Sequence, residues 1–213
     1  MPRRSSKTLI LDLAEELFAQ EGIDVVSLRQ INEALGLSSA AVHYHFKNKE
    51  DLLTAVLERR LRPESERDKV LNQLVTGELE LTTEHLVQAL VSPLAAIFIQ
   101  DLERGDFYLQ ILSEIYSDKS QRYHAYLPSA FISPLPKFQR LLEQLLPCNQ
   151  AQHLPELRRR YAFGVTTMIE GMANYQLIEE SGLRQLSDQE QQEHKQQYIK
   201  SLERFIQQGL NIN

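Results

Sequence analysis

Between Ser39 and Lys49 the run SAAVHYHFKNK mixes small, aromatic and hydrogen-bonding side chains with cations. Val42 and Phe46 are four residues apart and share one helical face, while Ser39, Ala40, His43 and Tyr44 lie off that line. A helix buried on Val42 and Phe46 therefore turns outward the kind of side chains that fit against base edges in a major groove. Lys47 and Lys49 stand beside the start of the next helix, so cations and free backbone N–H groups meet in an arrangement suited to phosphate. Other chemistry lacks the required spacing. His43 and His45, two apart on a helix, point in different directions, and no Cys or carboxylate joins them at metal-ligand spacing. With no G-x-S-x-G, G-x-G-x-x-G, Walker sequence or H-E-x-x-H, the chain is expected to be neither an enzyme nor a cofactor carrier.

Short-range signals position that projecting helix. Ser27 with Gln30 matches the S-x-x-Q capping box, and Leu28, Ile31 and Leu35 follow at helical spacing. Gly36 tolerates the left-handed backbone that ends a helix, Leu37 turns back to the core, and Ser38 can cap the next helix. Asn48 and Asp51 form an N-x-x-D cap, after which Leu52, Leu53, Val56 and Leu57 resume an apolar stripe. Linkers this short force the middle helix outward.

The stretch from Lys7 to Leu57 resembles the DNA-binding domain of the tetracycline-repressor (TetR) family of transcriptional regulators. The matching residues are the helix Ile10 to Gln20 with Ala14 and Phe18, then Gly22, Ser27, Ile31, Ala34, Gly36 and Ser38, and the run His45, Phe46, Lys47, Asn48, Lys49, Glu50, Leu52, Leu53. Two departures are His43, where the family usually has Tyr, and Val42, where Leu is commoner. The resemblance implies base contacts from Arg29, Ser39, Ala40 and His43, and backbone contacts from Ser27, Tyr44, His45 and Lys49. Arg29 suits guanine, because a guanidinium donates two parallel hydrogen bonds to O6 and N7. It also implies an all-α chain of about nine helices: a three-helix helix-turn-helix head, and a helical body that binds a small ligand and dimerises. The run AAVHYHF and the layout of the body resemble a branch answering to fatty acids or acyl thioesters.

Composition is consistent with two units, 1–62 and 63–213. The net charge of −6 argues against a general nucleic-acid coating protein. Residues 1–62 hold nine Lys/Arg and nine Asp/Glu, leaving fourteen against twenty for the rest, so the acidity belongs to the body. Arg3, Arg4 and Lys7 form a basic arm that either lies along phosphates or remains a disordered tail. A single cysteine, Cys148, excludes an internal disulfide framework, and no signal-peptide pattern or uncharged run of about 18 apolar residues occurs, so a cytoplasmic chain without a membrane span is expected.

The body reads as helices from about Glu64 to Leu74, with Thr76 and Gly77 breaking it, and from about Thr83 to Glu103, with a kink or break near Ser92 caused by Pro93. Further helices are expected from Phe107 to Tyr116, from Gln121 to Leu146 with Pro128, Pro134 and Pro136 interrupting, from Leu154 to Glu180, and from Ser187 or Asp188 until Gly209. Phe98, Phe107, Tyr108, Tyr123, Phe131, Met168 and Met172 are candidates to line a ligand pocket, or else ordinary core. Tyr161, Gly164, Gly171, Tyr175, Tyr198, Leu202 and Phe205 fall on stripes that pack either against a symmetry mate in a homodimer or inside one chain. The expected mechanism is a repressor that holds a palindromic operator as a dimer and is released by an amphipathic or apolar effector. A helical protein-interaction module keeping the helix-turn-helix as scaffold is the alternative.

Overall fold

The computed structural model describes residues 5–36, 39–60, 66–102, 104–120, 122–126, 135–145, 154–179 and 183–210, and all regular structure among them is helical. The expected domain boundary at 62/63 lies outside these residues, as do Arg3, Arg4, Leu37, Ser38, Pro128, Phe131, Pro134 and Cys148. The head contains α1 (Ser6–Glu21), α2 (Leu28–Ala34), α3 (Ser39–His45) and α4 (Lys49–Arg60). Ser5 caps α1 by accepting the Thr8 N–H at 3.2 Å. Ile10, Ala14, Phe18, Ile31, Val42, Leu52 and Val56 then meet with essentially no exposure, which is the head's core. At Gly36 the backbone takes φ +62°, as the turn after α2 requires.

Among the described residues of the body lie seven more helices: α5 (Glu66–Thr76), α6 (Thr83–Gln100), α7 (Gly105–Ser117), α8 (Leu135–Gln144), α9 (Leu154–Ala173), α10 (Tyr175–Ile178) and α11 (Asp188–Leu210). Single 3-10 turns occur at His124–Tyr126 and Leu183–Gln185. α11 packs against both α6 and α9, and α7 lies between α9 and α1, so α7 carries much of the contact between body and head. Lys195 of α11 is buried and donates to the Phe98 carbonyl at 2.9 Å and to Asp106 Oδ1 at 2.8 Å, tying α11 to the corner between α6 and α7.

Several boundaries differ from the sequence expectations for identifiable reasons. α6 runs unbroken through Pro93. Proline forfeits one backbone hydrogen bond and costs about 3 kcal/mol inside a helix, whereas full burial of Leu86, Leu90, Leu94 and Phe98 contributes about 1.5–3 kcal/mol each, so packing holds the helix together. The helix expected to reach Glu180 stops at Ala173 and resumes as the short helix Tyr175–Ile178 after a single non-helical residue, Asn174, whose side-chain amide donates to the Glu170 carbonyl at 2.9 Å. Gly209 does not end the last helix, which extends to Leu210.

Gly105 lies where α7 passes beneath the last turn of α6. A Cβ there would stand 2.5 Å from the Ile97 carbonyl oxygen, which is backbone and cannot swing aside. Gly105→Ala is therefore predicted to destabilise the fold by about 1–3 kcal/mol in thermal unfolding. An unchanged melting temperature would show that this corner opens freely.

Candidate nucleic-acid interface

α3 is seven residues long, about 10 Å at 1.5 Å per residue, short enough to lie across a major groove. Val42 and Phe46 are buried beneath it, while Ala40 and His43 are exposed and Tyr44 is 85% exposed. Ser39 opens the helix, but its side chain lies outside what is described. The seating of α3 depends on a residue that the sequence reading passed over. Asn32 is buried, donates through Nδ2 to the Leu28 carbonyl at 3.1 Å and accepts the Val42 N–H at 3.3 Å. Its signal was present, since Leu28, Asn32 and Leu35 are spaced i, i+4, i+7 and place an amide in an apolar stripe.

The surroundings of α3 divide the expected phosphate contacts into two groups. Ser27 caps α2 by accepting the Gln30 N–H at 3.2 Å, but the Gln30 amide reaches to Glu21 at 2.8 Å rather than closing the capping box. Lys47 is exposed, its N–H taken by Asp51 at 3.2 Å, while Asn48 accepts the Asp51 N–H at 2.7 Å to cap α4. His45 Nε2 and Ser6 Oγ are 2.9 Å apart, joining α3 to α1. The Lys49 ammonium is already engaged inside the head: it donates to the carbonyls of Ile23 and Asp24 at 2.8 and 2.9 Å. Arg29 is 86% exposed and paired through Nε with Glu33 at 2.7 Å.

Beneath this surface the head is bolted to the body by groups that motif reading did not reach. Glu15 is fully buried, and its carboxylate accepts from Arg59 and from Arg60 at 2.9 and 3.0 Å. Arg60 also grips Asp101 at the end of α6, and Arg104 donates to the Asp12 carbonyl at 2.7 Å. Two residues expected in a ligand pocket face the head instead. The Tyr108 hydroxyl donates to the Leu57 carbonyl at 3.2 Å, with burial pushing its phenol far above the usual range, and the Tyr123 hydroxyl donates to Asp24.

The other pocket and dimer candidates are placed mainly in core. Phe98 is buried with its ring edge-on to Tyr175, 4.9 Å between centroids, and Met168 and Met172 are buried, while Phe107 is half-buried. Tyr161 packs on Phe138 at 4.9 Å. Gly164 and Gly171 admit α11: Cβ atoms there would lie 3.3 Å from Ile206 and from Leu202, and Tyr198 donates to the Gly171 carbonyl at 2.7 Å. The stripe of Tyr161, Gly164, Gly171, Tyr175, Tyr198 and Leu202 is thus largely filled within the chain, because small residues accept whichever helix lies nearest. Phe205 departs from it and is 65% exposed. None of the described helices is long and apolar enough to cross a membrane.

Residues 10–56 match the family described as bacterial regulatory proteins, tetR family. Over 72 residues the chain is 38% identical to the HTH-type transcriptional regulator AcrR of Shigella flexneri, a match spanning 34% of this chain but only 28% of that regulator. Similarity of fold extends much further. NalD of Pseudomonas aeruginosa, described as the secondary repressor of the MexAB-OprM multidrug efflux pump, aligns with a TM-score of 0.52 at 20% identity over 92% of this chain and 93% of its own. AmtR of Mycobacterium smegmatis aligns with a TM-score of 0.53 at 19% identity over 100% of this chain and 89% of its own. At such low identity what is shared is the architecture of head and body. The curated relatives are transcriptional regulators, and what this chain shares with them is the helix-turn-helix head: residues 10–56 form a DNA-binding domain of the kind found in the tetR family of bacterial regulatory proteins.

Proposed function

We propose that the chain is a transcriptional repressor that binds a palindromic DNA operator as a homodimer and is released by a small amphipathic or apolar effector held in the body. The observation that carries this reading is the solvent-facing side of α3, with Ala40, His43 and Tyr44 exposed over a fully buried Val42. Arg29, Ser39, Ala40 and His43 are its proposed base-reading residues, and Ser27, Tyr44, His45 and Lys47 its proposed backbone contacts. Lys49 serves the interface indirectly, since its ammonium secures the loop ahead of α2. One head offers few base contacts, so two linked heads on half-sites are needed for operator affinity. In the body, the unbranched side chains of Met168 and Met172 are adaptable enough to repack around an effector such as a fatty acid or acyl thioester.

Selection of duplexes from a random pool, at two salt concentrations and with or without candidate lipids, tests the reading. A repressor enriches one palindrome, loses affinity steeply as salt rises, and releases the duplex about 5- to 150-fold more readily when its effector is present. Enrichment of no sequence would refute it. Within that assay, Lys47→Ala is expected to flatten the slope of log K against log salt by about one, whereas Lys49→Ala weakens binding without changing the slope. A flattened slope for Lys49→Ala would return its ammonium to a phosphate.

A further inference from the structure

The link between α1 and α2, Gly22 to Val26, is irregular backbone whose polar groups are claimed by side chains from two directions. From the body, Glu114 of α7 accepts the Ile23 N–H on both carboxylate oxygens, at 2.9 and 3.1 Å. From the head, Lys49 takes the Ile23 and Asp24 carbonyls. The Asp24 carboxylate is in turn held by Tyr123 and Arg122, which also belong to the body. Ile23 itself is fully buried, and two residues beyond Val25 the chain reaches Ser27, the cap of α2.

A body residue that served packing alone would not need a carboxylate here. Burial pushes the Glu114 carboxyl above the usual carboxylate range, Asp118 adds to that, and the Ile23 N–H and Lys49 oppose it, so the charged group is kept at a cost. What the cost secures is an acceptor for an N–H that would otherwise be buried without a partner. The loop is thereby fixed to α7 and to α4 at once. A displacement of α7 must move Ile23 or break its hydrogen bonds, and either event shifts the point at which α2 begins.

We propose that Glu114, supported by Tyr123, is a positioning residue for sequence reading: it transmits the position of α7 through Ile23 and Asp24 to α2, and so sets how Arg29 and α3 meet the groove. This rests on the regulator reading above and adds to it a path from body to head that bypasses α4. The path predicts a loss of discrimination, distinct from a loss of folded protein. Partial unfolding lowers affinity for operator and bulk DNA alike and leaves their ratio unchanged, whereas a misplaced α2 lowers the ratio.

The test compares wild type, Glu114→Ala, Glu114→Gln and Tyr123→Phe in the full chain, on the duplex that wild type selects and on bulk DNA, alongside amide exchange at Ile23. Glu114→Ala is expected to speed Ile23 exchange and to reduce the operator-to-bulk ratio about tenfold, within the usual range of coupling between sites. Glu114→Gln retains an acceptor oxygen and should recover most of both. Tyr123→Phe, which deletes one hydroxyl, should lower the ratio to a smaller degree and keeps the test open if Glu114→Ala does not fold. Faster exchange with an unchanged ratio overturns the proposal, as does Glu114→Gln behaving like Glu114→Ala. A wild-type protein that selects no sequence overturns the regulator reading itself, before any variant is compared.

Discussion

Glu15→Ala is expected to lower the unfolding free energy by about 3–5 kcal/mol, a drop of roughly 10 °C in melting temperature for a chain of this size. The carboxylate is completely buried between Arg59 and Arg60, with Arg104 at 4.0 Å. Removing it leaves Arg59 with Asp12 and Arg60 with Asp101, but deletes the buried acceptor that the two guanidiniums share and leaves them facing one another where water cannot fully hydrate them. Breaking such a buried network costs far more than the intact network contributes. Glu33→Ala is the control, because its partner Arg29 is 86% exposed and such pairs contribute at most about 1 kcal/mol. Denaturant unfolding of both variants checks the contrast. Equal, small losses would mean that water reaches Glu15 and the network is not buried in solution.

Local signals made the head legible. Ser27, Gly36 and the Asn48 to Asp51 cap each act over three or four residues and appear where expected, although Ser27 caps α2 without the reciprocal Gln30 bond of a capping box. The interface surface followed from them, because once Val42 and Phe46 are committed to the core, periodicity alone decides that His43 and Tyr44 are exposed. Long-range polar partners were not legible. Glu15 lies 44 residues from Arg59, Ile23 lies 91 from Glu114 and Asp24 lies 99 from Tyr123. A carboxylate on an amphipathic helix looks like a solvated charge until the element that covers it is known.

The body shows the converse limit. Tyr108 and Tyr123 were legible as aromatics near breaks in the chain, but only topology turns α7 and the 122–126 segment toward the head, where their hydroxyls meet Leu57 and Asp24. Pro93 signalled a break that packing overrode, and a break falls at Asn174 that no apolar stripe announced. Lys49 illustrates the same point within the interface, since a lysine before a helix reads as a phosphate contact until the Ile23 carbonyl is found 2.8 Å away.

Phe163→Asp combined with Phe205→Asp is expected to convert the proposed homodimer to monomers and to lower affinity for its proposed operator about 100-fold or more, the scale of avidity lost when two linked sites separate. Gly164 contacts Ile206 and Gly171 contacts Leu202, so α9 and α11 run antiparallel. In two antiparallel helices the residue just before each contact turns to the same side of the pair, which puts Phe163 and Phe205 on one face. Both are 65% exposed, and two rings on one face are an economical route to a helical dimer interface. Because neither ring is core, the double variant should unfold like a wild-type monomer while sedimenting at half the mass. Gly171→Leu should do the opposite: a Cβ there already lies 3.3 Å from Leu202 and 3.4 Å from the Tyr198 hydroxyl, so the added bulk strikes the chain's own α11 and lowers stability rather than association. A double Phe variant that still sediments and binds operator like wild type would move the interface elsewhere, and a Gly171→Leu chain that folds normally but dissociates would restore the glycine stripe to the dimer.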